Sequence, residues 1–271
     1  MSVSASYVAI TSAPFDAVAE RYDETFSDSV IGKAQRIQVW QELDRVFVPG
    51  QRVLEINCGT GVDAVHMAGR GVEVWACDQS AQMLGVARRR VSSSKLAADV
   101  HLLPLATEQI QNLEAGHLFD GAFSNFGGLN CVQDLDAVAS SLARLLAPGR
   151  PVVLCVMGRY VGWEMAWFAL CGRMRQATRR LGRQPVRVRL GNSSVACWYH
   201  SVRALRSLFR PYFRLRRWKG VGVSVPPSYL EYQARRFPRI MRTLEGLDPY
   251  LGRTPLVRAL ADHLLLNFER C

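Results

Sequence analysis

The stretch Leu54-Glu55-Ile56-Asn57-Cys58-Gly59-Thr60-Gly61 constrains this chain more than any other. It follows an apolar run at residues 52–56 and leads into helical periodicity at 61–67. Glycines at a strand-to-helix turn let backbone N–H groups approach a ligand closely, because no side chain stands in the way. The next apolar run, 72–77, ends at Asp78, 19 positions after Gly59. An acid there can accept hydrogen bonds from ribose hydroxyls. Strand, glycine loop, helix, strand and acid in that order suit an adenosine-containing ligand. Asn57 stands where such loops usually place their first glycine. Asn is among the few non-glycine residues that enter positive φ readily, so it reads as a tolerated variant.

The alternation continues along the chain. Runs at 100–105, 119–124 and 151–157 (PVVLCVM) read as further buried strands. Ser80 is placed to cap a helix over 81–90. Residues 135–146 have helical periodicity that stops at Ala147-Pro148-Gly149. Two more helices, over 15–25 and 32–47, precede the first strand. The pattern predicts an α/β fold, a parallel sheet covered by helices on both faces. After Gly158 the rhythm changes. Residues 163–181 read as a helical stretch, 185–190 and 195–199 as a hairpin around Gly191-Asn192, 201–209 as a helix and 214–225 as a strand. Pro226-Pro227 opens a helical region through about residue 260, and 263–268 (HLLLNF) reads as a last strand. The expected organisation is N-terminal helices and a ligand-binding core over 1–157, an insertion over 158–200, and the end of the core sheet over 201–271, itself interrupted at about 226–260.

Composition places bounds on function. The chain is 49% hydrophobic and 21% charged, which fits a globular protein with a core. No run of 18 apolar residues occurs, so no transmembrane helix is expected. The first 24 residues lack a basic segment followed by an apolar one, so no signal peptide is expected. Seven cysteines are scattered without a C-x-x-C pair, which reads as reduced, mostly buried thiols in a cytoplasmic protein, with no metal site. The net charge of +11 is uneven: residues 1–150 hold 12 Lys/Arg against 17 Asp/Glu, and 151–271 hold 22 against 6. That excess reads equally as arginine-rich coding or as a basic face for an anionic partner.

Finer details narrow the ligand. A dinucleotide fingerprint would read G-x-G-x-x-G, with a helix N-terminus facing pyrophosphate. Here the segment reads E-x-N-x-G-x-G, with Glu55 closing the strand. It resembles motif I of the class I S-adenosylmethionine-dependent methyltransferases, usually E/D-x-G-x-G-x-G. That cofactor carries no phosphate, so an acid in the loop is tolerable. Residues 15–23 (FDAVAERYD) resemble the helix that precedes motif I in many small-molecule methyltransferases. Residues 78–84 (DQSAQML) resemble the family's second-strand turn, and LLAPGR before PVVLCVM resembles its L-x-P-G-G turn. The resemblance covers about residues 15–157; the strands at 214–225 and 263–268 are more loosely similar to the family's final antiparallel pair.

The resemblance implies a Rossmann-like, seven-stranded, mostly parallel sheet, with S-adenosylmethionine as cofactor and S-adenosylhomocysteine as product. Carried over, Asn57, Cys58 and Gly59 line the methionine moiety, with Gly61 completing the loop. Glu55 approaches the cofactor's amino group or orders the loop. Asp78 binds the ribose hydroxyls, Gln79 and Met83 flank the adenine, and Ala106, Thr107 and Glu108 meet its edge. Asn125 and Phe126 face the methionine end. Plain structural readings stand beside these: Asp78 as a helix cap, Met83 as core, Glu108 as a solvated charge.

The methyl acceptor is less legible. Methyl transfer is an in-line displacement that needs proximity, orientation and sometimes a base. No N-P-P-Y-like motif occurs, since Ser124-Asn125-Phe126-Gly127 holds its place, and no Pro-Cys dipeptide occurs. Both absences disfavour the base-methylating enzymes of nucleic acids. In similar enzymes the N-terminal helix and the late insertions roof the acceptor. Candidates for an apolar lid are Tyr22, Trp163, Trp167, Phe168, Trp198, Tyr199 and Tyr229. Candidate bases are His200, Tyr22, Tyr160 and Glu164, and Arg159 and Arg173 are placed to meet an anionic substrate. Trp163 and Trp167, four apart, also read as a stripe packing on the core. The leading expectation is a methyltransferase acting on O, N or C of a small molecule. The alternatives are an RNA methyltransferase using the basic late half, a membrane-surface lipid methyltransferase, and a non-catalytic cofactor-binding partner.

Overall fold

The computed structural model describes residues 13–113 and 119–271. Residues 1–12, half of the segment read for a signal peptide, lie outside the described residues. The buried runs become parallel strands β1 (Arg52–Ile56), β2 (Glu73–Asp78), β3 (Val100–Pro104), β4 (Gly121–Ser124) and β5 (Pro151–Met157). A separate hairpin, β6 (Val186–Leu190) and β7 (Ser193–Cys197), follows, and β8 (Phe213–Val221) and β9 (His263–Arg270) complete the main sheet. Its order is β3-β2-β1-β4-β5-β9-β8, with β9 antiparallel to both neighbours. Helices α1 (Ala19–Tyr22) and α2 (Val30–Val46) precede the sheet. Helices α3 (Val62–Gly69), α4 (Ala81–Ser93) and α5 (Leu135–Leu145) connect its parallel strands. The late segments hold α6 (Gly162–Leu170), α7 (Met174–Ala177), α8 (Val202–Phe209), α9 (Glu231–Arg236) and α10 (Pro238–Leu251).

Alternation along each strand builds two cores, because successive side chains point to opposite faces. Leu54, Ile56, Leu154, Leu266 and Phe268 pack with α5 and α8 on one face. Val53, Val74, Phe123, Val153 and Leu265 pack with α2, α3 and α4 on the other. Central strands covered on both faces therefore read as near-continuous apolar runs. β8 is an edge strand and carries exposed arginines, which discourage pairing with another chain. Arg216 pairs with Glu269, Arg217 with Glu42, and Lys219 Nζ donates to the Gln38 carbonyl.

Local differences from the sequence reading have local causes. The helix over 163–181 divides into α6, α7 and a 3-10 turn, with Gly172 at φ +71° between the first two. The helix over 15–25 is a 3-10 turn, α1 and a wider turn at Asp23–Ser27. The strand over 214–225 stops at Val221, because Gly222 takes φ +75° and Asp248 accepts the N–H groups of Gly222, Ser224 and Val225. The strand over 119–124 begins at Gly121, and Phe119 forms only an isolated bridge to Leu146.

Candidate active site

Open α/β sheets bind ligands outside the carboxyl ends of their parallel strands. Here that edge holds a cavity of about 470 Å³, in the range of small-ligand sites. Asp78 ends β2 and faces it. Its Oδ2 accepts from Gly59 N–H at 2.9 Å and its Oδ1 from Ser80 N–H at 2.8 Å. Burial raises the Asp78 carboxyl, and these backbone donors oppose the shift. Ser80 caps α4, accepting from Met83 N–H at 3.0 Å. Gly59 sits at φ +54° with open space where a Cβ would stand.

Asn57 adopts φ +60°, the left-handed conformation anticipated for it. Its Nδ2 donates to Thr107 Oγ1 at 2.7 Å. Room for its side chain comes from Gly128, where a Cβ would stand 2.4 Å from Asn57 Cβ. Asn57 and Gly128 thus form a matched pair across β1 and β4.

Behind the loop lies a buried polar network. Arg36 Nη1 donates to Asp63 Oδ1 at 2.6 Å, Trp40 Nε1 to the same oxygen at 2.7 Å, and Asn125 Nδ2 to Asp63 Oδ2 at 2.9 Å. Burial alone would raise the Asp63 carboxyl, but the Arg36 charge and these donors hold it below its usual range. The Arg36 guanidinium also lies 4.5 Å from the Phe126 ring centre. Beside this network, the buried acceptor atoms Asn125 Oδ1 and Glu55 Oε2 are left without partners. Burial pushes the Glu55 carboxyl well above its usual range, with Asp63 adding to the effect.

The N-terminal segment covers this edge, held by two aspartates. Asp16 accepts from Ser80 Oγ at 2.6 Å, and Asp23 accepts from Thr60 Oγ1 at 2.7 Å and pairs with Arg90. Tyr22 between them lines the cavity; burial pushes its hydroxyl up to about 12, so it stays a phenol at neutral pH. The hairpin tip docks on the same segment, through Ser193 Oγ donating to the Pro14 carbonyl at 2.6 Å.

Of the residues singled out from sequence, Asn57, Gly59, Asp78, Gln79, Met83, Asn125, Phe126, Tyr22, Tyr199 and Tyr229 line the cavity. The others are placed elsewhere. Glu55 and Cys58 are buried, and Gly61 makes room for Ala87 of α4. Ala106, Thr107 and Glu108 follow β3 outside the cavity wall, Thr107 reaching it only through Asn57. Glu164 is buried under Arg179 and Arg180, at 2.7 and 2.6 Å. His200 forms an isolated bridge with Gly158, away from the cavity. Trp163 donates to the Ser224 carbonyl at 2.9 Å, Arg159 donates to the Leu181 carbonyl, and Tyr160 and Trp167 are exposed. The sequence reading passed over His263, which β9 brings to the ligand edge because it runs antiparallel to β5. His263 is 5% exposed, its Nδ1 lies 3.5 Å from Asp262 Oδ2, and it forms no hydrogen bond there. Burial lowers its basicity, Asp262 opposes, and Arg180 and Arg36 add to the lowering, so the ring is neutral at pH 7.

Comparison with known proteins agrees with this geometry. A family described as a methyltransferase domain matches residues 53–149. Demethylmenaquinone methyltransferase of Clavibacter sepedonicus is 32% identical over 148 residues, 53% of this chain and 56% of that protein. The Thermobifida fusca protein of the same name is 26% identical over 239 residues, 82% of this chain and 94% of that one. The chain spans about half the length of most curated relatives it matches. Among solved structures, the CcbJ methyltransferase of Streptomyces caelestis superposes with a TM-score of 0.61 at 14% identity, covering 96% of this chain and 98% of that one. The [4+2]-cyclase SpnF also gives 0.61 at 14% identity, covering 97% and 98%. The shared fold alone therefore does not specify a reaction. S-adenosylmethionine fits the residues present: Asp78 stands ready beside an open Gly59, and Asn125 Oδ1 is a buried acceptor without a donor. Together, the glycine loop and the sheet order agree with the methyltransferase-domain match over residues 53–149.

Proposed function

We propose that this protein transfers the methyl group of S-adenosylmethionine to a small, mostly apolar ring acceptor, of the kind named for its demethylmenaquinone-methylating relatives, in the cytoplasm. The observation that carries this reading is one continuous cavity. Cofactor-side residues (Asp78, Met83, Asn125) share it with the apolar hairpin residues Val188, Leu190 and Val195 and with His263. In this reading Asp78 binds the ribose hydroxyls, Gln79 and Met83 flank the adenine, and Asn125 Oδ1 accepts from the methionine ammonium. The cofactor supplies a methyl on a cationic sulfur. The protein brings the acceptor in line with it and takes a proton from the acceptor. Tyr22 serves as a hydrogen-bond donor, and His263, neutral and beside Asp262, is the proton acceptor. Residues 158–200 act as the acceptor lid over the core of residues 1–157. Arg179 and Arg180 are already matched by Glu164 and Asp262, so the reading favours a neutral acceptor over an anionic one.

Calorimetry with S-adenosylmethionine and a transfer assay with a 1,4-naphthohydroquinone test the reading. Micromolar cofactor binding and a product one methylene heavier are expected. Absence of cofactor binding would sink the cofactor assignment. Transfer to bulk RNA instead, with a steep salt dependence, would replace the small-molecule acceptor.

A further inference from the structure

Two thiols in the cavity wall have no part in methyl transfer. Cys131 ends the turn Gly128–Cys131, directly after the Asn125–Gly127 corner, and Cys197 ends β7. Their sulfurs lie 3.9 Å apart, both are free thiols, and both line the cavity. The flanking backbone is already cross-tied. Trp198 N–H donates to the Asn130 carbonyl at 2.7 Å, and Asn130 Nδ2 donates to the Trp198 carbonyl at 2.7 Å. A disulfide needs the sulfurs at about 2.05 Å, a closure of about 2 Å that side-chain rotation and small shifts can supply. The pair is also chemically unequal. The hydrogen bond with Cys131 lowers the Cys197 thiol, burial opposes, and Arg180 and Arg179 add to the lowering. The same bond and burial raise Cys131. Cys197 is therefore the attacking thiolate and Cys131 the resolving thiol.

We propose that Cys131 and Cys197 form a reversible, peroxide-driven disulfide that bolts the β6–β7 hairpin to the loop after β4. The Cys197 thiolate attacks one oxygen of hydrogen peroxide; an S–O bond forms, the O–O bond breaks, and hydroxide leaves to become water. The Cys131 sulfur then attacks the sulfenic sulfur; the S–S bond forms, the S–O bond breaks, and the leaving hydroxide takes the Cys131 proton as water. Two thiols lose two electrons and one peroxide becomes two waters. A dithiol reductant reverses the bond. Because the hairpin supplies Val188, Leu190 and Val195 to the cavity, the crosslink fixes its roof to the cofactor side and closes the acceptor half. That consequence rests on the acceptor reading above; the crosslink itself does not.

The experiment uses the full chain carrying Cys171→Ser and Cys271→Ser, since those two thiols are exposed. After mild hydrogen peroxide and desalting, unreduced peptide mapping should show residues 131 and 197 joined, two hydrogens lighter than the separate peptides. Dithiothreitol should release them, and added Cys131→Ser or Cys197→Ser should prevent the link. Circular dichroism of each variant, with Cys131→Ala as a second substitution, separates loss of the link from loss of the fold. In the linked protein, amide exchange across 186–197 should slow about tenfold. S-adenosylmethionine affinity should change by less than about threefold. Oxidation that stops at sulfonic acid without a 131–197 link overturns the proposal, as does a link that leaves hairpin exchange unchanged. Naphthohydroquinone methylation should fall about tenfold on linking and recover on reduction. If neither redox form methylates it, the acceptor reading fails while the crosslink result stands. If both forms methylate it equally, gating is refuted.

Discussion

Asn57 and Gly128 can be tested as a pair. A Cβ on Gly128 would stand 2.4 Å from Asn57 Cβ, 2.7 Å from its Cγ and 2.8 Å from its Oδ1. All three of the nearest atoms belong to Asn57, and Gly128 itself has no positive φ that forbids alanine. Gly128→Ala should therefore cost about 3 kcal/mol, the upper end of overpacking, because Asn57 and Gly128 sit in the tight turns that follow β1 and β4. Asn57→Gly removes the whole obstruction. It loses the bond to Thr107 Oγ1, worth about 1 kcal/mol, and relieves an asparagine at φ +60°. Asn57→Gly alone should thus be mild, with cofactor affinity within about tenfold, or 1.4 kcal/mol. The double variant should be close to Asn57→Gly, giving a coupling energy of about 2–3 kcal/mol in favour of the pair. Urea unfolding of the four proteins measures this cycle, and calorimetry follows the cofactor. A coupling below about 0.5 kcal/mol would refute the matched-pair argument. Asn57→Val puts a branched side chain at positive φ, costs about 1–3 kcal/mol in strain, and should largely abolish cofactor binding.

Other substitutions probe the rest of the site. Asp78→Ala should weaken S-adenosylmethionine about 10- to 100-fold by calorimetry, since it removes a charged acceptor and frees the Gly59 and Ser80 donors. Asp63→Asn leaves Arg36 buried without its counter-charge and should cost about 3–5 kcal/mol in urea unfolding. Glu164→Gln should lower thermal stability through Arg179 and Arg180 while leaving cofactor affinity unchanged. His263 and His200 are both depressed below 6.5 in the folded state, so the unfolded chain binds more protons as pH falls. Stability should therefore drop as pH falls below 7, and His263→Gln should reduce that slope in urea titrations between pH 5.5 and 7.5. The same variant should also lose the acid limb of kcat/KM, whereas a purely structural His263 would leave that limb in place.

The glycine-loop side of the cavity was legible because its signals are local. Gly59, Asn57, Asp78 and Ser80 lie within one strand–loop–helix–strand unit, and each has a positive φ of its own or a hydrogen bond to a residue two or three positions away. The first five strands were legible for the same reason, as apolar runs of local sequence. The opposite wall of the cavity was not legible, because its residues meet only through long-range folding. Asn130 joins Trp198 across 68 positions, and His263 reaches the ligand edge only because β9 enters antiparallel beside β5. HLLLNF read as a strand, and nothing in its pattern marks which end of the sheet its first residue occupies. Glu164 looked like a free acid for a related reason: its partners Arg179 and Arg180 follow a break at Gly172 that the apolar spacing did not announce.

The arginine excess of the late half acquires a physical meaning from these same contacts. Within residues 158–200 the buried hydrophobic side chains are few: Val161, Ala177, Cys197 and Tyr199. Arg180, 8% exposed, lies 4.7 Å from the Tyr199 ring centre and pairs with Glu164, and its Nη1 donates to the Gly158 carbonyl at 3.2 Å. Arg258 stacks 3.9 Å from the Trp218 ring centre. Arg36 does the same under Phe126 beside the cofactor loop. A planar guanidinium offers an apolar face to an aromatic ring and five donors at its rim, so one side chain fills space and satisfies carbonyls where a leucine would leave them unpaired. A surface that recruits a polyanion needs its cations free to meet phosphate. Arg179 and Arg180 are instead spent on Glu164 and Asp262, and Arg216 and Arg217 of the edge strand on Glu269 and Glu42. Arg179, Arg180, Arg216, Arg217 and Arg235 all meet acids in this way, so part of the late-half charge excess serves the packing of these segments.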